Sequence, residues 1–302
     1  VTTLSLPTLN LSGSLSPSIA FLPYLTSLNL SNNLLSGAIP GALHHCARLR
    51  YLDLSRNAFY GAIPAELGLI PHLSFLDLST NNLSGPIPPA LSGARSLVSV
   101  VLSHNLLSGA IPAELGASLT SLESLVLFSN KLSGNVPFTL GRLRNLTVFR
   151  AGANLLSGTI PFALGSCPKL QVLGLAQNKL EGEIPEELGR LKQLVSLALW
   201  RNNLVGRIPR QLANCSLLQL LALYDNALSG PVPAELGQLQ FMKKLYLYKN
   251  RLNGSIPREL GNYSYVEEID ISENEMGGVI PSELGSLRSL ELLHLFENYF
   301  TG

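Results

Sequence analysis

Leu28-Asn29-Leu30-Ser31-Asn32-Asn33-Leu34-Leu35-Ser36-Gly37-Ala38-Ile39-Pro40 decides the fold, because it recurs down the whole chain. Its last Asn returns at Asn33, Asn57, Asn81, Asn105, Asn130, Asn154, Asn178, Asn202, Asn226, Asn250, Asn274 and Asn298. Every interval is 24 residues except one of 25, between Asn105 and Asn130. The extra residue falls in Gly116-Ala117-Ser118-Leu119, read as a loop where insertion is tolerated. The Gly column runs from Gly13 to Gly302 in thirteen copies, and the Pro column from Pro40 to Pro281 in eleven. In the first copy Leu9 replaces the Asn and Ser16 the Pro, as fits a terminal repeat.

The pattern predicts a stacked architecture. Leu28 and Leu30 alternate with Asn29 and Ser31, so each copy makes a short strand with one buried face. No copy can bury that face alone, so neighbours bury it for one another and the strands pair into one parallel sheet. The repeated Asn satisfies buried backbone groups of the next turn, each of which would cost about 1–3 kcal/mol if unmet. Gly permits a turn with positive φ, and Pro marks a strand end or edge on the outer side. Thirteen strands at ~4.8 Å make a curved rod on the order of 60 Å long, and one domain is expected over residues 1–302.

Composition narrows the function classes. Charged residues are 14% against a usual ~25%, and net charge is +1, so no field draws in nucleic acid or an anionic membrane. No run of 18 apolar residues spans a bilayer. Val1-Thr2-Thr3-Leu4 shows no basic stretch leading into an apolar one, so no signal peptide is expected in this chain.

The motif L-x-x-L-x-L-x-x-N-x-L-x-G-x-I-P, continued by x-x-L-G, resembles the plant-specific extracellular class of leucine-rich repeats over essentially the entire chain. Lys244-Leu245-Tyr246-Leu247-Tyr248, Gly254-Ser255-Ile256-Pro257-Arg258-Glu259 and Glu268-Ile269-Asp270-Ile271-Ser272-Glu273-Asn274 are similar to ectodomains of plant leucine-rich repeat receptor-like kinases that bind secreted peptides. The resemblance implies an α/β solenoid, a superhelix of about thirteen 24-residue repeats with a concave parallel β-sheet. It implies a plasma-membrane protein with an extracellular ligand-binding part and a cytoplasmic Ser/Thr kinase outside this chain. Its partners would be a secreted peptide and a shorter leucine-rich repeat co-receptor kinase. The membrane would be met only through a helix outside this chain. No enzyme activity, cofactor or metal is implied for the chain itself. The cysteine caps of the family are absent here, so a piece of a longer ectodomain is expected. Its uncapped ends should unfold first or aggregate.

Cys46, Cys167 and Cys215 each lie eleven residues before a ladder Asn, in one structural column. Cys167 and Cys215 are two repeats, about 10 Å, apart, too far for a disulfide. They read as buried free thiols. His44-His45-Cys46 imitates a metal cluster, but sequence neighbours point apart. Glycosylation sequons stand at Asn10, Asn29, Asn82, Asn145, Asn214, Asn253 and Asn262. Asn145, Asn214 and Asn262 lie outside the repeat template and favour a secreted glycoprotein.

Ligand binding is expected on the concave strands, where residues two and four before each ladder Asn face outward. The first four repeats present Ser, Asp and Asn there, a solvated surface. From Phe128 onward come Trp200, Tyr224, Tyr246, Tyr248 and Phe296, with His294 beside the last. These aromatics mark a binding site, or else they stack on one another as a cross-strand ladder. Gly152, Ala153, Gly174, Ala176 and Ala198 suggest a shallow hollow walled by Phe128 and Arg150 on one side and Trp200 and Tyr224 on the other. At about 15 Å from Phe128 to Trp200, it suits an extended peptide of four or five residues.

Arg150 is the only cation in those two columns. Arg150-Ala151-Gly152-Ala153 resembles the R-x-G-G motif with which sulfated-peptide receptors of the family hold a tyrosine sulfate, Ala153 departing from the second Gly. Arg offers forked charge-assisted bonds to an oxyanion, or it stacks on Phe128. Lys243, Lys244 and Lys249 precede Glu267, Glu268, Asp270 and Glu273 by one repeat, which fixes a ligand's direction or merely pairs the charges. No match to the family's R-x-R carboxylate clamp occurs in these columns. Alternatives to a peptide receptor are a soluble inhibitor of a secreted cell-wall enzyme and a receptor for a glycan or another protein.

Overall fold

A computed structural model of the chain describes residues 1–301. Two compact units divide it, Val1–Leu155 and Leu156–Gly302. In the first, strands Thr3–Ser5, Ser27–Asn29, Tyr51–Asp53, Phe75–Asp77, Ser99–Val101, Ser124–Val126 and Val148–Arg150 pair in parallel. In the second, Val172–Gly174, Ser196–Ala198, Leu220–Ala222, Lys244–Tyr246, Glu268–Asp270 and Leu292–His294 do the same. Register advances by one repeat per strand, so Leu197 meets Leu173 and Leu221. This is the α/β solenoid of leucine-rich repeats.

The ladder Asn does what its recurrence demands. Asn105 Oδ1 accepts from Leu83 N at 3.0 Å, and its Nδ2 donates to the carbonyls of Leu78, Leu102 and Ser103 at 2.9, 3.2 and 3.3 Å. Each such Asn binds one repeat to the one before it. The residue just before it sits at positive φ, for instance Ala153 at 53° and Arg201 at 52°. The Gly of the motif turns the chain at φ between 70° and 94°.

Three expectations need correction. Two further parallel sheets run through the L-x-G segments among the described residues, one with strands such as Leu34–Gly37 and Asn82–Pro86, the other with strands such as Arg251–Gly254 and Glu275–Gly278. The Pro column does not edge a strand: Pro40, Pro64 and their equivalents cap five-residue 3-10 turns such as Gly41–His45 and Ala65–Leu69. Ser16 caps the first such turn in their place, accepting from Ser18 N at 3.2 Å. The inserted residue lies in a helix rather than a loop, because it extends the turn into the α-helix Ala113–Ser118.

Glycine of the L-G pair lets successive turns approach. A Cβ on Gly68 would stand 1.9 Å from the Ala90 carbonyl oxygen. Leu at the ladder positions is fully buried, as in Leu52, Leu76, Leu125, Leu173, Leu197 and Leu245. The three cysteines are free and fully buried, as read from their column. Cys215 Sγ donates to Leu188 O at 3.3 Å, and burial pushes its thiol up to about 11, so it is an unreactive space-filler. Tyr263 takes the same column position with its hydroxyl buried and unpartnered.

Candidate functional site

Within the second unit the strand pairing sets Gly174, Ala198, Ala222, Tyr246, Asp270 and His294 side by side. Two residues further along each strand lie Ala176, Trp200, Tyr224, Tyr248, Ser272 and Phe296. Strands ~4.8 Å apart suit ring stacking. Trp200 and Tyr224 stack with centroids 5.0 Å apart and 9° between planes, and Tyr224 and Tyr248 at 4.3 Å and 9°. Tyr246 meets Tyr224 edge-on at 6.4 Å. The aromatics therefore do stack on one another, forming a half-buried wall. Burial raises the Tyr224 and Tyr248 hydroxyls above the usual range, and the adjoining Tyr224 adds to the rise at Tyr248.

A charged rim runs beside the wall, in the positive-φ column. The Arg201 guanidinium lies 5.5 Å from the Trp200 ring centre and its Nε 3.4 Å from Asp225 Oδ2. Lys249 Nζ reaches Asp225 Oδ1 at 3.0 Å. Next along the sheet, Glu268 accepts from Lys244 Nζ at 2.6 Å and from the Tyr246 hydroxyl. The bond from Lys244, then that from Tyr246, holds the Glu268 carboxyl below its ordinary range. Burial first, and Glu268 second, lift Tyr246 to about 12. Asp270 Oδ1 accepts from Ser272 N and Oγ at 3.1 and 2.6 Å, and its Oδ2 lies 3.1 Å from His294 Nδ1. His294 is edge-on to Phe296 at 5.5 Å. Of the charges expected to point a ligand, Lys244 and Glu268 pair with each other, while Lys249 pairs with Asp225 and Asp270 with His294. Such exposed pairs add about 0–1 kcal/mol each to stability but fix side-chain directions.

Other expected residues behave differently. In the first unit Phe128 is 36% exposed and edge-on to His104 at 5.4 Å. Arg150 is exposed, and no ring contact, hydrogen bond or ion pair holds its side chain among the described residues. It is not stacked on Phe128. Gly152 and Ala176 are buried, so they are not an open floor as expected; Gly174 and Ala198 are half-buried. Ala153 sits at φ 53°, where a methyl group costs about 1–2 kcal/mol and Gly costs nothing. The first repeats hold their polar groups inward: Asp53 Oδ1 accepts from Ser55 N and Oγ at 3.0 and 2.6 Å.

Sequence reasoning named Lys244, Lys249 and Glu268 as charges but did not read the two columns they belong to. Six residues before the ladder Asn, Tyr51 and Phe75 stack at 4.4 Å in the first unit, and Lys244 and Glu268 pair in the second. One residue before it, Arg201, Asp225 and Lys249 alternate in sign, a signal readable in the sequence. Of the sequons, Asn10, Asn82, Asn214, Asn253 and Asn262 are exposed; Asn29 and Asn145 are half-buried, with Asn29 Oδ1 engaged by Ser31.

Comparison with known proteins is consistent with this geometry. A leucine rich repeat model matches residues 2–59, and a second matches 72–94, 169–191, 241–263 and 265–287. The chain belongs to the leucine-rich repeat family. It is similar to the plant peptide hormone receptor RGFR1 in complex with RGF2, at 37% identity and a TM-score of 0.95, over 96% of this chain and 46% of that one. It is similar to the Arabidopsis receptor kinase HAESA in complex with the peptide hormone IDA and the co-receptor SERK1, at 30% identity and a TM-score of 0.62, over 99% of this chain and 62% of that one. It also resembles a plant ice-binding protein at 30% identity and a TM-score of 0.65, over 74% of this chain and 71% of that one. No curated protein matches it. The chain spans about half the length of the RGFR1 structure. No helix among the described residues is long and apolar enough to cross a membrane.

Proposed function

We propose that this leucine-rich repeat chain is the ligand-binding part of a plant plasma-membrane receptor kinase, taking a secreted peptide on its strand face and signalling with a shorter co-receptor kinase. The likeness to receptors captured with peptide hormones, one of them with a co-receptor, supports the class. The observation that carries the reading is the half-buried stack Trp200–Tyr224–Tyr248 beside the oriented charges of Asp225, Glu268 and Asp270. Stacked rings present apolar area at little entropic cost, and paired charges give a peptide backbone fixed donors and acceptors. Tyr246, His294 and Phe296 extend that surface, and Gly174 and Ala198 raise no bulk against a ligand. In the first unit, unengaged Arg150 beside Phe128 is the group for an anionic side chain such as a sulfotyrosine. The exposed sequons carry glycans, as suits a secreted surface.

Trp200 is the only tryptophan and reports directly on the wall. Titration with synthetic secreted plant peptides, sulfated and unsulfated, should give a saturable change in its emission. Tyr248→Ala should weaken that response, and Arg150→Ala should remove any preference for the sulfated form. A preference unchanged in Arg150→Ala refutes the sulfate assignment. Silence from every peptide with the fold intact refutes the peptide groove.

A further inference from the structure

The first unit holds a group of basic side chains that the concave columns do not include. Arg48, Arg50 and His72 line one hollow with Thr26, at the edge where the chain enters the strands Ser27–Asn29 and Tyr51–Asp53. Arg48 and His72 are equivalent positions in successive repeats, about one strand spacing apart. Arg50 follows Arg48 by two residues, and its backbone N–H donates to Thr26 O at 2.8 Å, so the floor of the hollow is hydrogen-bonded sheet edge. The Thr26 hydroxyl donates to Thr2 O at 2.9 Å. Arg48 is held over the Tyr24 ring, 5.0 Å from its centre, which directs the guanidinium before any ligand arrives.

The charge around this hollow is uncompensated. Every ion pair among the described residues lies between Arg201 and His294, in the second unit. Up to residue 98 the acids are Asp53, Glu66 and Asp77, and none pairs with Arg48, Arg50 or His72. Asp53 and Asp77 instead turn toward Ser55 and Ser79. The cations of this stretch are all arginines, whose planar forks match a carboxylate or sulfate bidentately where a lysine offers a point charge.

We infer that Arg48, Arg50 and His72 form an oxyanion-binding site for a sulfate or carboxylate group, distinct from the Arg150 position and independent of the peptide reading. Two forks and an imidazole surround the group. Thr26 and the bonded sheet edge beneath it add no negative charge.

The test is titration with sodium sulfate, and separately with a galacturonate trisaccharide, at constant ionic strength. Side-chain Nε–H resonances of the arginines are followed by NMR. Saturable shifts confined to Arg48 and Arg50 are expected. In Arg48→Gln and Arg50→Gln the affinity should fall about tenfold per fork lost. Arg95→Gln, in the same unit but outside the hollow, should leave it unchanged. Response to sulfate alone assigns a tetrahedral anion, and response to the trisaccharide alone assigns a carboxylated sugar. Linear, unsaturated shifts spread over all arginines, or equal losses in Arg95→Gln, overturn the site. All three side chains are exposed, so the variants keep the fold, checked by circular dichroism.

Discussion

Tyr224→Ala removes the ring on which the proposed wall depends. Tyr224 has Trp200 on one face and Tyr248 on the other, at 5.0 and 4.3 Å, and Tyr246 at its edge. Each stacked pair is worth about 0.5–1.5 kcal/mol beyond area, so two contribute ~1–3 kcal/mol. The half-buried ring withdraws roughly 100 Å² of apolar surface, a further ~2.5 kcal/mol. The variant should therefore lose about 3.5–5.5 kcal/mol of local stability in the second unit. Tyr224→Phe, which keeps both faces, should lose under ~1 kcal/mol.

Urea unfolding read by Trp200 emission is the assay, because that signal comes from the same stack. Native Tyr224→Ala should also show red-shifted emission, as Trp200 gains water on one face. A double-mutant cycle with Tyr248→Ala should give a coupling of at least ~0.5 kcal/mol. A loss below ~1 kcal/mol with unchanged emission would mean that the rings do not stack in solution. The wall would then not be pre-formed, and the argument for a ready peptide surface would fail.

Asn105→Ala leaves the buried Leu83 N–H without a partner and strips a donor from the Leu78 and Leu102 carbonyls, so chemical denaturation should show a loss of about 3–5 kcal/mol. Tyr263→Phe removes a buried hydroxyl that bonds to nothing and should raise stability by about 1–3 kcal/mol in the same assay, unlike most core substitutions. Asp77 has its carboxyl raised, chiefly by burial, so its charged form destabilises the fold at neutral pH and that penalty disappears as pH falls through the raised value. Asp77→Asn keeps an acceptor for Ser79 N, as Asn29 does for Ser31, and should be more stable than wild type at pH 7 with the gap closing in acid; an equal gap at both pH values refutes the assignment.

What the sequence shows of this fold is what repeats at full burial. Leu52, Leu76 and Asn81 sit in columns whose chemistry holds from the second copy onward, so period alone places them. The further sheets were not legible, because a stretch such as Leu34-Leu35-Ser36-Gly37 is four residues with no alternation of polarity. The five-residue 3-10 turns are too short to display a helical period. At the site, alternation correctly put Trp200, Tyr224 and Tyr248 on one face. It could not tell that Gly152 and Ala176 are buried, since a residue without a side chain takes its exposure from its neighbours. Arg201 and Asp225 were overlooked, and Lys249 was grouped with other charges rather than with them, because their position looks like part of the repeat template. Its positive φ accepts Asn32, Thr80, Ala153 and Glu273 alike, so its chemistry is free to vary.

That freedom separates the two units in charge pairing. The ladder Asn, the Leu columns and the turning Gly satisfy backbone and core along the repeats, so the residue types on the strand face and its edges are freer to vary. In the second unit they have been used to pair charges, and the pairs hold a set of rings in place. In the first unit Arg48, Arg50 and Arg150 are left without acids. A paired cation orients its neighbours; an unpaired one is available to a ligand. Under the proposed peptide reading, the rings of the second unit take apolar and backbone parts of a ligand and Arg150 takes an anionic group, while Arg48 and Arg50 belong to a separate site. A ligand carrying no negative charge should therefore respond to Tyr248→Ala and ignore Arg150→Ala.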